Sequence, residues 1–323
     1  MRKLTTALLV LVTVVVVAVA AAITFGGPTQ PAPMQSVSDS FKGVDLSGLP
    51  PIQKYGARDG TQLAYRIYRP AAGAFNGSVV LVHGSSAQSI SIHPLATGFS
   101  HAGYVAYALD VRGHGESGER GHVTYIGQLE DDLEDFMKAT RPQGKKSLVG
   151  FSAGGGFALR FASDARQSLF DNYLFLSPFL SQDASTYRPD SGGWVSVGIP
   201  RILALVVLNG LGISSFNYLP VIEYAVPPEA QRFLTPSYSF TLAMNFRPHT
   251  DYRADIAAVS LPMEVLVGEK DDQFRPERFS SEFSSVGRTV PVTIVPATGH
   301  IELTLKPEAI QAAVKAIGRL DGI

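Results

Sequence analysis

Cysteine is missing from the 323 residues. Its absence excludes disulfides, a thiolate nucleophile and every cysteine-based metal site. Charge imbalance is missing as well: 27 basic and 28 acidic residues leave a formal net charge of -1 at pH 7. No basic cluster with interleaved aromatics occurs, so nucleic-acid binding is not expected. His93, His101, His122 and His249 lack the spacing to carboxylates that a metal site needs, and no metal or other cofactor is expected. Internal repeats and long charge runs are absent too. With 45% hydrophobic and 17% charged residues, the chain can build one large domain with a substantial core, or two small ones.

The first 25 residues are of another kind. Arg2 and Lys3 precede an almost wholly apolar run over 7–23. As a helix, such a run of about 17 residues spans roughly 26 Å, close to the ~30 Å hydrocarbon core of a bilayer. Ala18-Val19-Ala20 and Ala20-Ala21-Ala22 both offer a signal-peptidase site, while the run is long for a cleaved signal. A signal peptide and an uncleaved anchor with its basic end in the cytoplasm are both consistent with this pattern. Either reading places the rest of the chain outside the cytoplasm, periplasmic or extracellular, anchored or secreted. Residues 26–51, rich in Pro, Gly, Ser and Gln, are expected to form a flexible linker.

From residue 52 the pattern alternates. "ARDGTQLAYRIYRP" reads as a hairpin turning at Asp59-Gly60. "GSVVLVHG", "GYVAYALD", "KSLVGF", "NYLFL", "MEVLVG" and "VPVTIV" read as apolar strands. "YIGQLEDDLEDFMKA", with Ile126, Leu129, Leu133, Phe136 and Met137 at helical spacing, and "PEAIQAAVKAIGRL" read as amphipathic helices. Apolar strands alternating with helices predict a mostly parallel sheet covered on both faces, with reactive residues on loops leaving the strand carboxyl ends.

Gly150-Phe151-Ser152-Ala153-Gly154 lies where one such strand meets a helix. That is the pattern of a nucleophile elbow, a strained turn that exposes a serine hydroxyl. Alone, Gly-x-Ser-x-Gly is a weak signal. Here it comes with an earlier His83-Gly84 pair, with Asp271 in "LVGEKDD" and with His300 in "PATGHIEL", each just past an expected strand. A serine needs an adjacent base, and the base an orienting acid. The order Ser, Asp, His belongs to the strand-elbow-helix version of that arrangement. The run "GFSAGGG" lacks the lysine of a phosphate-binding P-loop.

On these motifs the chain from residue 52 to the C-terminus resembles the α/β-hydrolase superfamily of serine hydrolases, in particular monoacylglycerol lipases, lysophospholipases and serine aminopeptidase-like members. The resemblance implies an α/β-hydrolase fold over 52–323. It makes Ser152 the nucleophile, His300 the base and Asp271 the orienting acid. Asp271 is preferred to Asp272 because the family's acid follows a glycine, here Gly268, by three positions. It implies an oxyanion hole from the backbone N–H groups of Ala153 and Ser85, with Ser86 as the lesser candidate. Asp110, Arg112 and His114 in "DVRGHGESG" are expected to brace a loop, and His83 to support the oxyanion loop.

Between "NYLFLSPFL" and "LPMEVLVGEKDD" the alternation breaks. The resemblance implies a cap over the active site, at about 181–254. Its stretch over 194–213 is strongly apolar, though Pro200 and three glycines argue against a second membrane span. An apolar cap beside a membrane segment suits a lipid-like ester such as a monoacylglycerol or lysophospholipid. An aminopeptidase or amidase on the same triad would need cap acids, for which Glu223, Glu229 and Asp251 are available. An acyltransferase and a catalytically silent binding protein complete the alternatives.

Overall fold

The computed structural model describes residues 2–34, 44–189 and 193–322. An eight-stranded sheet lies at its centre. In chain order its strands are β1 (Gln53–Gly56), β2 (Gln62–Tyr68), β3 (Gly77–Val82), β4 (Tyr104–Leu109), β5 (Lys146–Phe151) and β6 (Asn172–Leu176). After a separate three-stranded sheet of β7 (Val195–Val197), β8 (Pro220–Tyr224) and β9 (Ser237–Ser239) come β10 (Met263–Gly268) and β11 (Val292–Val295). The large sheet has the order β1-β2-β4-β3-β5-β6-β10-β11. Within this sheet, among the described residues, only β1 with β2 and β2 with β4 pair antiparallel. The mostly parallel α/β architecture expected from the alternation is what the chain adopts.

Burial explains why these segments are strands. All residues of β3, β5 (Lys146 aside) and β10 are buried, as unbroken apolar runs covered on both faces require. The first hairpin turns at Gly60, whose φ is 84°, with Gly56 opposite Gln62. Helices His93–His101 and Pro307–Asp321 cover one face of the sheet, packing Phe99, Ala313 and Ile317 onto Val79, Leu81 and Leu266. Helices Gln128–Thr140 and Ala153–Ala162 cover the other with Leu133, Phe136, Phe157 and Phe161. Ile126, expected within the first of these, lies before it and is exposed. Gly127 turns the chain at φ 107° there, and the Asn245 side chain accepts from Gly127 N and Leu129 N, so the helix begins at Gln128.

The register sets the height at which each strand ends. Val82 lies opposite Gly150, Phe151 opposite Leu176, and Gly268 opposite Val295. The loops after β3, β5, β10 and β11 therefore leave from one edge of the sheet. The chain runs from β3 to β4 on one side and from β5 to β6 on the other, a reversal of direction at which open α/β sheets place their ligand crevice.

Above it sits the segment expected as a cap, of which residues 190–192 fall outside the described residues. It holds the antiparallel sheet β7-β8-β9, an apolar helix Ile199–Gly210 and a short helix Phe240–Asn245. Of the expected linker, residues 35–43 are likewise outside the described residues. Residues 26–34 lie along the small sheet: Thr29 N donates to Ser196 Oγ at 3.1 Å and Met34 N to Ala225 O at 2.9 Å.

Phe136 meets Tyr55, Tyr65 and Tyr107 edge-on at ring distances of 5.4 to 5.5 Å and is fully buried. Phe136→Ala is expected to cost about 3–5 kcal/mol of stability through lost burial and a residual cavity. Chemical denaturation, with the slope unchanged and the midpoint lowered, checks this.

Candidate active site

Ser152 stands between β5 and the helix Ala153–Ala162 with φ 54° and ψ -119°. That backbone is costly for a residue with a Cβ. It is held on three sides: Ser152 N donates to Leu176 O at 2.9 Å, and Ser152 O accepts from Gly156 N and Phe179 N at 3.0 Å each. The flanking glycines are required by close approach. A Cβ on Gly150 would lie 2.3 Å from Gly154 O, and one on Gly154 would lie 2.2 Å from His83 O. The helix can turn back over its own strand only where both positions lack side chains.

His300 follows β11 and Asp271 follows β10, and the parallel register carries both to Ser152. His300 Nε2 lies 3.0 Å from Ser152 Oγ, and His300 Nδ1 lies 2.9 Å from Asp271 Oδ2. An ionised carboxylate can only accept, so the imidazole proton sits on Nδ1 and the Nε2 lone pair faces the serine hydroxyl. Phe151 and Phe274 flank the ring at 4.9 and 5.2 Å. Asp271 is buried, and burial by itself raises its pKa. The charge and hydrogen bond of His300, the Ser177 hydroxyl at 2.7 Å and the Phe274 amide outweigh that, so Asp271 is held below its ordinary value. Asp272, its neighbour, is exposed and outside this chain of bonds.

The loop after β3 brings Ser85 beside the elbow. Ser86 N donates to the Tyr238 hydroxyl at 2.5 Å and is thereby occupied. Among the described residues Ser85 N has no acceptor. Ala153 N, at the first position of its helix, can have none within that helix. Both amides expected for an oxyanion hole are thus without a backbone acceptor among the described residues. Among the described residues five non-glycine residues have positive φ, and four of them border this site: Ser86, Ser152, Ser177 and Ala297.

Sequence reading missed the partners supplied from the small sheet. Tyr238 on β9 bonds to His114 Nε2 at 2.5 Å as well as to Ser86 N, and Tyr224 on β8 meets the Tyr238 ring edge-on at 4.9 Å with its hydroxyl turned to Ser85. Ser177, also missed, bonds the carboxylate of Asp271. No spacing rule links a tyrosine in an irregular segment to a histidine more than a hundred residues earlier. His114 Nδ1 faces the carbonyls of Val111 and Arg112, so Nε2 accepts from Tyr238. His83 likewise donates from Nδ1 to Gly84 O and accepts from Val111 N. Asp110 accepts from Ser89 N and Glu116 N, and Arg112 pairs with Asp132 and Asp59. Among the described residues no three acidic or histidine side chains are placed to hold a metal ion.

Comparison with known proteins agrees with this architecture. The family model described as serine aminopeptidase, S33 (Hydrolase_4) matches residues 73–300. The chain belongs to that family. It is an α/β-hydrolase of the lipase and esterase type. A monoacylglycerol lipase of Mycolicibacterium smegmatis is 32% identical to this family member over 224 residues, 66% of this chain and 76% of that protein. Among solved structures, a soluble variant of monoglyceride lipase from Saccharomyces cerevisiae, in complex with a substrate analog, superposes with a TM-score of 0.64 at 17% identity. It covers 87% of this chain and 98% of its own. Monoacylglycerol lipase of Paleococcus ferrophilus gives 0.57 at 21% identity, over 80% and 98%. These two likenesses carry the fold.

Burial lowers the pKa of both His83 and His114 below the ordinary 6.5, His114 well below. As pH falls below about 6.5, the unfolded chain binds protons there that the folded chain refuses. Stability from these groups is complete above that pH and is lost below it. The melting temperature is expected to drop between about pH 7 and pH 5, with a shallower slope in His114→Gln. Calorimetry across that range checks it; an unchanged slope would remove His114 from the account.

Proposed function

We propose that this family member is a serine hydrolase that cleaves carboxylic esters through an acyl-enzyme on Ser152, with a lipid-like substrate of the monoacylglycerol or lysophospholipid kind. The observation that carries the reading is the continuous relay from Asp271 through His300 to Ser152 Oγ, at 2.9 and 3.0 Å. Ser152 Oγ attacks the ester carbonyl carbon as its proton passes to His300 Nε2. The carbonyl oxygen becomes an oxyanion and accepts from Ala153 N and Ser85 N. Collapse breaks the bond to the alkoxy oxygen, which takes the proton from His300 and leaves as the alcohol. Water then gives a proton to His300 and attacks the acyl-enzyme, releasing the acid and restoring Ser152. Asp271 holds the imidazole tautomer and stabilises its charged form.

The lipid part of the reading rests on the apolar cap and on the name of the Mycolicibacterium relative. In this reading 52–323 is the hydrolase domain, about 181–254 its cap, and the N-terminal helix holds it to the outer face of a membrane. Of the three acids available to the aminopeptidase alternative, Glu223 and Asp251 are committed elsewhere. Tyr224 faces Ser85, so Glu223, its neighbour on the strand, points to the opposite face. Asp251 accepts from Ala254 N as the cap of the helix Tyr252–Ala258.

Hydrolysis of p-nitrophenyl esters from acetyl to palmitoyl, beside aminoacyl-nitroanilides, tests the proposal. Turnover is expected on the esters, rising with chain length, and Ser152→Ala is expected to lower kcat by about 10⁴-fold or more. Asp271→Asn should cost roughly 10³–10⁴-fold while Asp272→Asn stays near the parent. Turnover confined to short esters would remove the lipid substrate, and an active Ser152→Ala would overturn the mechanism.

A further inference from the structure

The apolar N-terminal helix, Arg2–Phe25, has the length and composition to cross a membrane, with 23 residues from Lys3 to Phe25. It does not end in a free tether. Its last turns pack on the cap helix Ile199–Gly210. Within it, the residues partly covered are Val19, Ala22 and Ile23, which with Gly26 just beyond share one face at helical spacing.

Arg201 closes this junction. Its Nε donates to Ile23 O at 2.9 Å, its Nη2 to Thr24 O at 3.3 Å, and its backbone N to Gly26 O at 3.2 Å. Its Nη1 donates to Pro220 O on β8 at 2.7 Å. A guanidinium placed on the last carbonyls of a helix satisfies acceptors that have no partner within the helix, and it complements the negative end of the helix dipole. The backbones touch as well. A Cβ on Gly26 would lie 2.7 Å from the Pro200 side chain, and one on Gly198 would lie 2.7 Å from Pro28 N. At both positions a side chain would collide with the other segment. Thr29 and Met34 then bind the exit segment along β7 and β8.

The cap helix is apolar on both sides. Ala204 and Leu205 pack inward, while Leu203, Val206 and Val207 on its outer side are 49% to 60% exposed, followed by Leu211 at 71%. From Ile202 to Ile222 the chain has no charged residue. This uncharged apolar face is continuous with the apolar helix that packs against it.

We propose that the N-terminal helix is retained in the mature protein as a fixed part of the fold, locked to the cap by Arg201, and that it forms with the outer face of the cap helix one surface for a phospholipid bilayer. The proposal rests on the membrane-side reading given above. The bilayer is chosen over a second copy of the chain because the face continues a helix long enough to span one.

The absence of cysteine allows a clean probe. Full-length protein carrying Val207→Cys or Lys315→Cys, labelled with an environment-sensitive fluorophore, is reconstituted into phosphatidylcholine–phosphatidylglycerol vesicles. Emission at Val207 is expected to rise several-fold and to be quenched by doxyl-phosphatidylcholine, with neither change at Lys315 on the terminal helix. Arg201→Ala should leave the protein sedimenting with the vesicles and lose most of the quenching at Val207, with Arg201→Lys in between. The intact mass of membrane-extracted protein should include the helix. A chain beginning at Ala21 or Ile23, an aqueous probe at Val207, or a Val207 signal that depends on protein concentration rather than lipid would overturn the proposal, the last in favour of a dimer face. Hydrolysis of p-nitrophenyl acetate, read in the same samples, reports the ester-cleaving site independently. Turnover with an aqueous Val207 overturns the surface alone, and a lipid-quenched Val207 without turnover supports the surface and removes the hydrolase reading.

Discussion

A serine with φ 54° between a strand and a helix is a local conformational cost of about 1–3 kcal/mol, and the surrounding structure is arranged to sustain it. The sheet supplies Leu176 O for its amide, the following helix and the loop after β6 supply donors for its carbonyl, and glycines at 150 and 154 let the helix lie against the strand. The strain is shared rather than isolated. Ser86, Ser177 and Ala297 carry positive φ in the loops that bring up Ser85, supply a donor to Asp271, and lead to His300. Such a cluster persists only when packing over-determines it, and the buried parallel strands beneath provide that packing.

Around the elbow, buried polar groups are satisfied in a definite direction. His83 and His114 both carry their proton on Nδ1, because carbonyl oxygens face that nitrogen. Their other nitrogen is then an acceptor, for Val111 N and for Tyr238. Tyr238 completes the run by accepting from Ser86 N, which takes one amide of the loop out of use and leaves its neighbour open. A neutral, fully bonded network of this kind stabilises one arrangement of the loop, since any slip would leave a buried group unpaired.

The same bonds connect the small sheet to the loop beside Ser152. Tyr224 stands on β8 and touches Ser85. The carbonyl of Tyr224 accepts from Gln30, in the segment that leaves the N-terminal helix, and β8 is gripped at Pro220 by Arg201. The apolar helix, the small sheet and the loop after β3 are thus joined through the two ends of one short strand. In the proposed function, this geometry brings the ester to Ser152 from the side on which the lipid lies.

Much of this was legible in one dimension because it depends on periodicity and on glycine. Unbroken apolar runs specify buried parallel strands, and the glycines around Ser152 specify a turn that no other residue permits. The order of Ser152, Asp271 and His300 follows from strands that end at one edge. The 3.0 Å approach of His300 to Ser152 was decided only by register, which fixes how far each strand extends beside its neighbour. Tyr238, Tyr224 and Ser177 had no sequence signal, because their partners lie far along the chain and their spacing follows no repeat. Residues 26–34 read as a linker, since proline, glycine and polar side chains resemble a tether wherever they occur. Only the fold reveals Arg201 and Gly198 waiting for them, because close packing between distant segments is a property of surfaces in contact and not of either sequence alone.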